Sequence, residues 1–178
     1  NQIIKGFPEY TFALCFVGSR PEDYGDMRYE LPNNVVHLEV HYLHEPHSKP
    51  PVIKRKGNPK VFKEIRCLHD TYRQPERLHE QESSLLKSIM KHRSEGRYAE
   101  ADFLYSHEAW DYITEQYRAH CTDPSFVDYF WTIRIMHAPI WRLMALTETF
   151  IPVKVFHTIS TGYAGFLGAL MKQKTGKP

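Results

Sequence analysis

About 90 residues of helical periodicity, from Pro59 to Phe150, separate the second strand pattern of this chain from the third. An ordinary crossover between parallel strands needs only about a dozen residues. Such spacing calls for a helical lobe set into an α/β sheet, not a plain strand–helix repeat. The strand patterns themselves are distinct. Tyr10 to Val17 is nearly all apolar, as expected of a strand covered on both faces. Val35 to Tyr42 alternates: Val36, Leu38, Val40 and Tyr42 point one way, His37, Glu39 and His41 the other. Val153 to His157 is the third pattern, followed by a polar turn and a helix from Phe166 to Lys174.

Within the helical stretch the spacing predicts helices near Pro59–Tyr72, Pro75–Glu95, Tyr98–Phe103, Glu108–Cys121 and Ser125–Thr147. Asp123-Pro124-Ser125 is a helix start in which Asp123 or Ser125 can cap free N–H groups. Phe126, Phe130, Ile133, Ile140 and Met144 recur at spacings of three, four and seven, the signature of a core-facing stripe. Pro139 is expected to kink or split that helix, because it removes a hydrogen bond and crowds the preceding turn. The fold class expected is α/β: a Rossmann-like parallel sheet in a single domain over 1–178, with a loop at 44–59 and a helical insert at 60–150.

At 178 residues the chain is long enough for one real core. A formal net charge of +2 gives no argument for nucleic acid. Cys15, Cys67 and Cys121 are odd in number and lack a CxxC pair, which favours a reducing compartment over a disulfide framework. The most apolar stretch, Phe126 to Leu146, is interrupted by Asp128, Arg134, His137, Pro139 and Arg142, so no membrane span is expected. Asn1 to Lys5 has no signal-peptide character. Ile3, Ile4 and Phe7 read as the last turn of a helix closed by Gly6, and Thr175 to Pro178 as a helix stop leading to another strand. The chain is therefore expected to be a fragment of a longer one.

The chemical candidates follow from these placements. His157 falls at the C-terminal end of a strand, where ligands bind in open α/β sheets. Thr158, Ser160 and Thr161 supply hydroxyls beside it, and the new helix supplies free N–H groups that favour oxygen acceptors or anions. Gly162, Gly165 and Gly168 recur every third residue and would let the helix approach its neighbour closely. A capped helix packed tightly on its strand explains the same pattern, and a strand-end histidine held by backbone explains His157. His37, Glu39 and His41, with His44 and His47 beyond, offer ligand types suited to zinc or non-haem iron. A solvated polar strand face explains them as well, and no metal is expected. Glu80, Glu82, Glu95, Glu100 and Asp102 read as solvated helix faces, and Lys54-Arg55-Lys56 as a solvated loop.

Two stretches carry a resemblance. Gly6-Phe7-Pro8-Glu9-Tyr10-Thr11-Phe12 with Tyr29-Glu30-Leu31-Pro32-Asn33-Asn34-Val35-Val36 is the first. Ile140-Trp141-Arg142-Leu143 with Val155-Phe156-His157-Thr158-Ile159-Ser160-Thr161-Gly162-Tyr163-Ala164-Gly165 is the second. Together they resemble the N-terminal region of the PelF-type bacterial glycosyltransferases, cytosolic enzymes of Pel exopolysaccharide synthesis. The similarity runs through nearly the whole chain and is looser in the insert. It implies a GT-B architecture, in which an N-terminal Rossmann-like domain shapes the acceptor side and a C-terminal domain binds the UDP-sugar. It implies retention at the anomeric carbon and no metal cofactor. His157 matches a histidine beside the donor sugar, and Ser160, Thr161, Gly162 and Tyr163 match the family turn. The family's glycine-rich loop is expected upstream of Asn1, and its nucleotide-sugar domain with two spaced glutamates beyond Pro178. By itself this piece would then be inactive.

The leading expectation is thus the acceptor-side domain of a cytoplasmic glycosyltransferase. Its partners would be a nucleotide-sugar, a polysaccharide acceptor and the C-terminal GT-B domain, with no nucleic acid. The alternative is a non-enzymatic module docking on an inner-membrane polysaccharide synthase through its aromatic helical insert and basic loop. A third expectation, a metalloenzyme built on His37, Glu39 and His41, has the least behind it.

Overall fold

A computed structural model describes residues 2–27, 30–44, 55–74, 78–122 and 125–178. Residues 45–54 of the expected 44–59 loop, the helix start expected at Pro75 and the cap expected at Asp123 lie outside these residues. The order of elements is α1 (Gln2–Gly6), β1 (Phe12–Gly18), a short 3-10 turn (Pro21–Asp23), β2 (Val35–Tyr42), α2 (Pro59–Tyr72), α3 (Leu78–Ser94), α4 (Glu100–Tyr105), α5 (His107–His120), α6 (Phe126–Thr149) and α7 (Tyr163–Thr175). The class is mixed α/β, mostly helical, with a two-stranded parallel sheet among the described residues.

β1 and β2 pair in parallel, with Cys15 opposite Glu39 and Val17 opposite His41. The ladder continues past both strands, since Leu43 N–H donates to the Gly18 carbonyl (3.0 Å) and His44 N–H to that of Ser19 (2.9 Å). Cys15 and Val17 lie against the core, so their face, which includes His37, Glu39 and His41, is the inner one. Val36 (65% exposed), Leu38 and Val40 occupy the other face and are open. The polar stripe read as solvated is therefore half-buried, and the apolar stripe faces out.

The buried core runs through the helices. Val61, Phe62, Ile65 and Leu68 form the inner stripe of α2 and meet Ile89 of α3, Phe103 of α4, Ile113 of α5 and Leu143 of α6 in one cluster that extends to Leu170 of α7. Fully burying a side chain of this size contributes roughly 1.5–3 kcal/mol, so the helical segment supplies most of the folding energy. Its boundaries have local causes. Asn58 accepts a hydrogen bond from Lys60 N–H (3.1 Å) and Pro59 needs no partner at the first helical position. Ser106 caps α5 through Ala109 N–H (3.1 Å), and Ser125 caps α6 through Asp128 N–H (3.3 Å). α7 stops at Gly176, whose φ of 70° is open to glycine at little cost.

Two further expectations change. Residues 153–157 form no strand. Phe156 N–H donates to the Pro178 carbonyl (2.8 Å) and Lys177 Nζ to that of Val153 (2.8 Å), but no ladder develops. A strand needs a neighbour along its length, whereas this segment is held at single points by the end of the described chain and by Phe156 packed on the core. Pro139 does not split α6, which runs unbroken from Phe126 to Thr149. Pro139 itself is fully buried, so packing around the ring offsets the missing hydrogen bond. The aromatic stripe of α6 is core-facing, with Phe126, Phe130, Ile133 and Ile140 packed on the cluster and Met144 buried.

Candidate functional site

α7 begins beside the C-terminal end of the sheet. The Tyr163 ring, at its first residue, meets the His44 ring edge-to-face with centroids 6.5 Å apart, and His44 lies two residues past the end of β2. The turn before α7 is drawn tightly over the helix. A Cβ on Gly165 would stand 2.7 Å from the Ser160 carbonyl oxygen, and one on Gly168 would stand 2.8 Å from Thr158 Cγ2. The glycine repeat therefore seats the 158–160 turn, where the sequence had suggested a sheet. Ser160 Oγ accepts from Gly162 N–H (3.2 Å), which folds the turn back on itself. No side chain caps α7.

His157, Ser160, Thr161, Gly162 and Tyr163 are all exposed. They lie along one exposed ledge, and none of them lines either of the two cavities described below. His157 is not walled off by apolar side chains, which leaves its imidazole free to donate and accept at a ligand. Ile159 projects from the same turn at 92% exposure.

Arg142 of α6 reaches the same edge of the sheet. It donates to the Leu43 carbonyl (2.9 Å), and its guanidinium lies 3.7 Å from Glu100. With Val40, His41, Ala145 and Leu146 it bounds a cavity of about 260 Å³. The Ile140–Leu143 motif singled out in the sequence therefore puts one side chain at the strand ends. No periodicity in the sequence marks that role.

On the inner sheet face His37 and His41 lean from both sides onto Glu39. Nε2 of His37 contacts one carboxylate oxygen (2.8 Å) and Nε2 of His41 the other (2.9 Å). The His41 hydrogen bond, aided by His37 and opposed by burial, holds Glu39 below the usual carboxylate range. Cys15 joins the group from β1, with its Sγ, a Glu39 oxygen and a His41 nitrogen all within 4.8 Å of one another. Burial and the nearby carboxylate push its thiol up to about 11. Sequence reading missed Cys15 because it looks like one more small apolar residue in a buried strand.

A second polar cluster lies inside the helical insert. His137 Nδ1 contacts the Ile133 carbonyl (2.7 Å), which can only accept, so Nδ1 carries the proton. Its Nε2 is then the acceptor for His69 Nε2–H at 3.3 Å. His69 Nδ1, left bare, accepts from the Tyr112 hydroxyl. The relay is neutral throughout, and burial, with His137 and Arg73 alongside, lowers His69 to about 4. Burial lowers His137 as well, against the Ile133 hydrogen bond. The relay borders a cavity of about 220 Å³ that Arg73, Gln116 and Tyr129 also line. Arg73 is committed to Gln116 (2.7 Å) and Asp70 (3.0 Å). The three relay residues come from three helices and share no local motif.

Arg55 of the basic run pairs with Asp102 (2.9 Å), and the carbonyls of Arg55 and Lys56 receive the first N–H groups of α5. On α6, Val127, Trp131 and Ile135 fall four apart and are each more than half exposed, with Trp110 of α5 and Met136 adding to the apolar surface. Arg134 stacks over Tyr105, Phe130 and Trp131. No helix among the described residues is long and apolar enough to cross a membrane.

A family model described as Domain of unknown function (DUF3492) matches residues 1–178. No curated protein and no solved structure matches the chain.

Proposed function

We propose that this chain, which belongs to the DUF3492 family, is the acceptor-side half of a cytoplasmic, retaining, UDP-sugar-dependent glycosyltransferase of the PelF type. Association of the family with glycosyltransferase-like N-terminal regions supports the class. The observation that supports the reading is the exposed segment from His157 to Tyr163, whose Tyr163 end meets His44 just past the parallel strands and whose 158–160 turn packs on Gly165 and Gly168. In this proposal a GT-B partner domain closes over that ledge. The open Val36–Leu38–Val40 face of the sheet is then a surface for the rest of the α/β assembly.

The ledge suits hydroxyl-rich ligands. His157 hydrogen-bonds the transferred sugar, Ser160 and Thr161 orient hydroxyls or phosphate oxygens, and the uncapped first turn of α7 favours negative charge on the departing nucleotide. In the transfer itself, the bond from the anomeric carbon to the UDP oxygen breaks. The acceptor hydroxyl passes its proton to the departing phosphate oxygen and bonds that carbon on the same face, and UDP leaves. Bacterial exopolysaccharide is the product class the PelF resemblance suggests. The test is steady-state turnover of the natural protein that carries this chain, with His157→Ala and Ser160→Ala. A fall in kcat of tenfold or more for His157→Ala supports the assignment. Unchanged kcat and KM with every nucleotide-sugar tried would remove His157 from the chemistry.

A second reading has its own observation. The stripe of Val127, Trp131 and Ile135 beside Trp110 is the kind of apolar surface used for protein contacts. It would make the insert a docking module for membrane-bound synthase subunits. Deleting residues 60–150 cannot test this, because most of the buried core lies there. Pull-down of synthase subunits with Trp131→Glu and Ile135→Glu separates the readings. Retained capture would dismiss the stripe as a docking face.

A further inference from the structure

We infer that Cys15, Glu39 and His41 form a binding site for a divalent cation of the zinc class, with His37 positioning the carboxylate. Their ligand atoms already lie within 4.8 Å of one another. Around a tetrahedral zinc, with bonds of about 2.0–2.3 Å, ligand atoms stand roughly 3.3–3.8 Å apart. The widest separation therefore needs to close by only about an ångström, while Glu39 and His41, now 2.9 Å apart, open slightly to admit the ion. Thiolate, imidazole and carboxylate together are a donor set that zinc accepts and that magnesium and calcium do not.

The placement is rigid. Cys15 and Glu39 are opposite each other in the parallel ladder, and His41 is two residues on, where the strand returns to the same face. Ligands carried on paired strands hold their geometry better than ligands on loops. His37 Nε2 holds one Glu39 oxygen at 2.8 Å, which leaves the other turned to His41. Such outer hydrogen bonds on a ligating carboxylate orient it for the metal. Charge balances as well, because one carboxylate and one thiolate neutralise the cation on a half-buried face. His41 also borders the cavity of about 260 Å³ at the strand ends, which gives the ion a way in.

On binding, the Cys15 S–H bond breaks heterolytically. Its proton goes to solvent as Sγ bonds the metal, and no oxidation state changes. The metal replaces the hydrogen bond between His41 and Glu39, with the His41 proton carried on Nδ1. A water fills the fourth position. The site stands apart from the glycosyltransferase reading, whose chemistry uses the ledge at 157–163. Its role is to tie β1 to β2 on the core side.

The probe is cobalt(II), titrated into the purified full chain. One equivalent is expected to bind, with a near-ultraviolet thiolate-to-cobalt band and intense visible bands of tetrahedral coordination, both removed by excess zinc. Cys15→Ser should abolish the thiolate band, while Cys67→Ser and Cys121→Ser leave it intact. His37→Ala should keep the stoichiometry and weaken affinity roughly 10–100-fold. If Cys15→Ser does not fold, the wild-type chain still decides. Zinc should protect half-buried Cys15 from alkylation and leave exposed Cys67 as reactive as before. No thiolate band in the wild type, a band that survives Cys15→Ser, or Cys15 alkylation indifferent to zinc would overturn the inference.

Discussion

Replacing Gly165 by alanine sets two effects of similar size against each other. Alanine is better than glycine in a helix interior by about 0.8–1.0 kcal/mol, and Gly165 lies in the first turn of α7. Against this, the new Cβ would stand 2.7 Å from the Ser160 carbonyl oxygen, so turn and helix must separate by roughly 0.5 Å or more to reach ordinary contact. Forcing a methyl into a close-packed site costs about 1–3 kcal/mol. The clashing atom is backbone and cannot rotate away, so the steric cost should win, with a net loss of roughly 0–2 kcal/mol. At about 2–4 °C per kcal/mol for a chain of this size, Tm should fall by up to several degrees. Gly168 in the same helix and Gly162 at its N-cap give the scale. Gly168→Ala meets only Thr158 Cγ2, a rotatable methyl, and should cost less. Gly162→Ala meets nothing closer than Ser160 Oγ at 3.6 Å, so it carries no steric cost and loses only the N-cap preference for glycine over alanine. Thermal melts of the three variants test this order. A Gly165→Ala protein that melts higher than wild type would refute the tight seating of the turn on α7.

Further outcomes are expected in the insert. His69 is depressed to about 4 in the folded state, against an ordinary value near 6.5, so between those limits the unfolded chain holds the extra proton. Stability should therefore fall as pH drops through that window, by up to about 1.4 kcal/mol per pH unit for one proton. Denaturant melts of His69→Gln should show a shallower acid slope, and an unchanged slope would contradict the neutral relay. Tyr98 is buried, with its ring against Trp141 and Phe62 and its hydroxyl without a partner among the described residues. Tyr98→Phe should be neutral or stabilising by about 1 kcal/mol in the same assay. A comparable loss would mean the hydroxyl is satisfied.

Local signals in the sequence read well. Asn58-Pro59 and Ser125 mark helix starts through their own side chains, and α2 spans the residues its periodicity predicts. β2 follows from strict alternation, but alternation does not say which face is inner. An isolated sheet would bury Val36, Leu38 and Val40, whereas here the helices cover the side bearing Cys15 and His41. The pattern at 153–157 has strand composition, yet pairing depends on a neighbour that the local sequence does not specify. The turn at 157–163 was legible as a candidate because its hydroxyls, glycines and histidine are contiguous. Cys15 with Glu39, and Tyr112 with His69 and His137, were not, because packing alone brings them together across gaps of tens of residues.

The most direct measurement is glycosyl transfer by the natural protein that carries this chain. Each UDP-sugar in a panel would be offered with oligosaccharide acceptors, following UDP release and the anomeric configuration of the product by NMR. The proposal predicts acceptor-dependent UDP release, a product with the donor's anomeric configuration, and loss of both when the 157–163 ledge is disabled by His157→Ala. An inverted product, or transfer indifferent to His157, would contradict it. So would the absence of any transfer from a folded, complete protein.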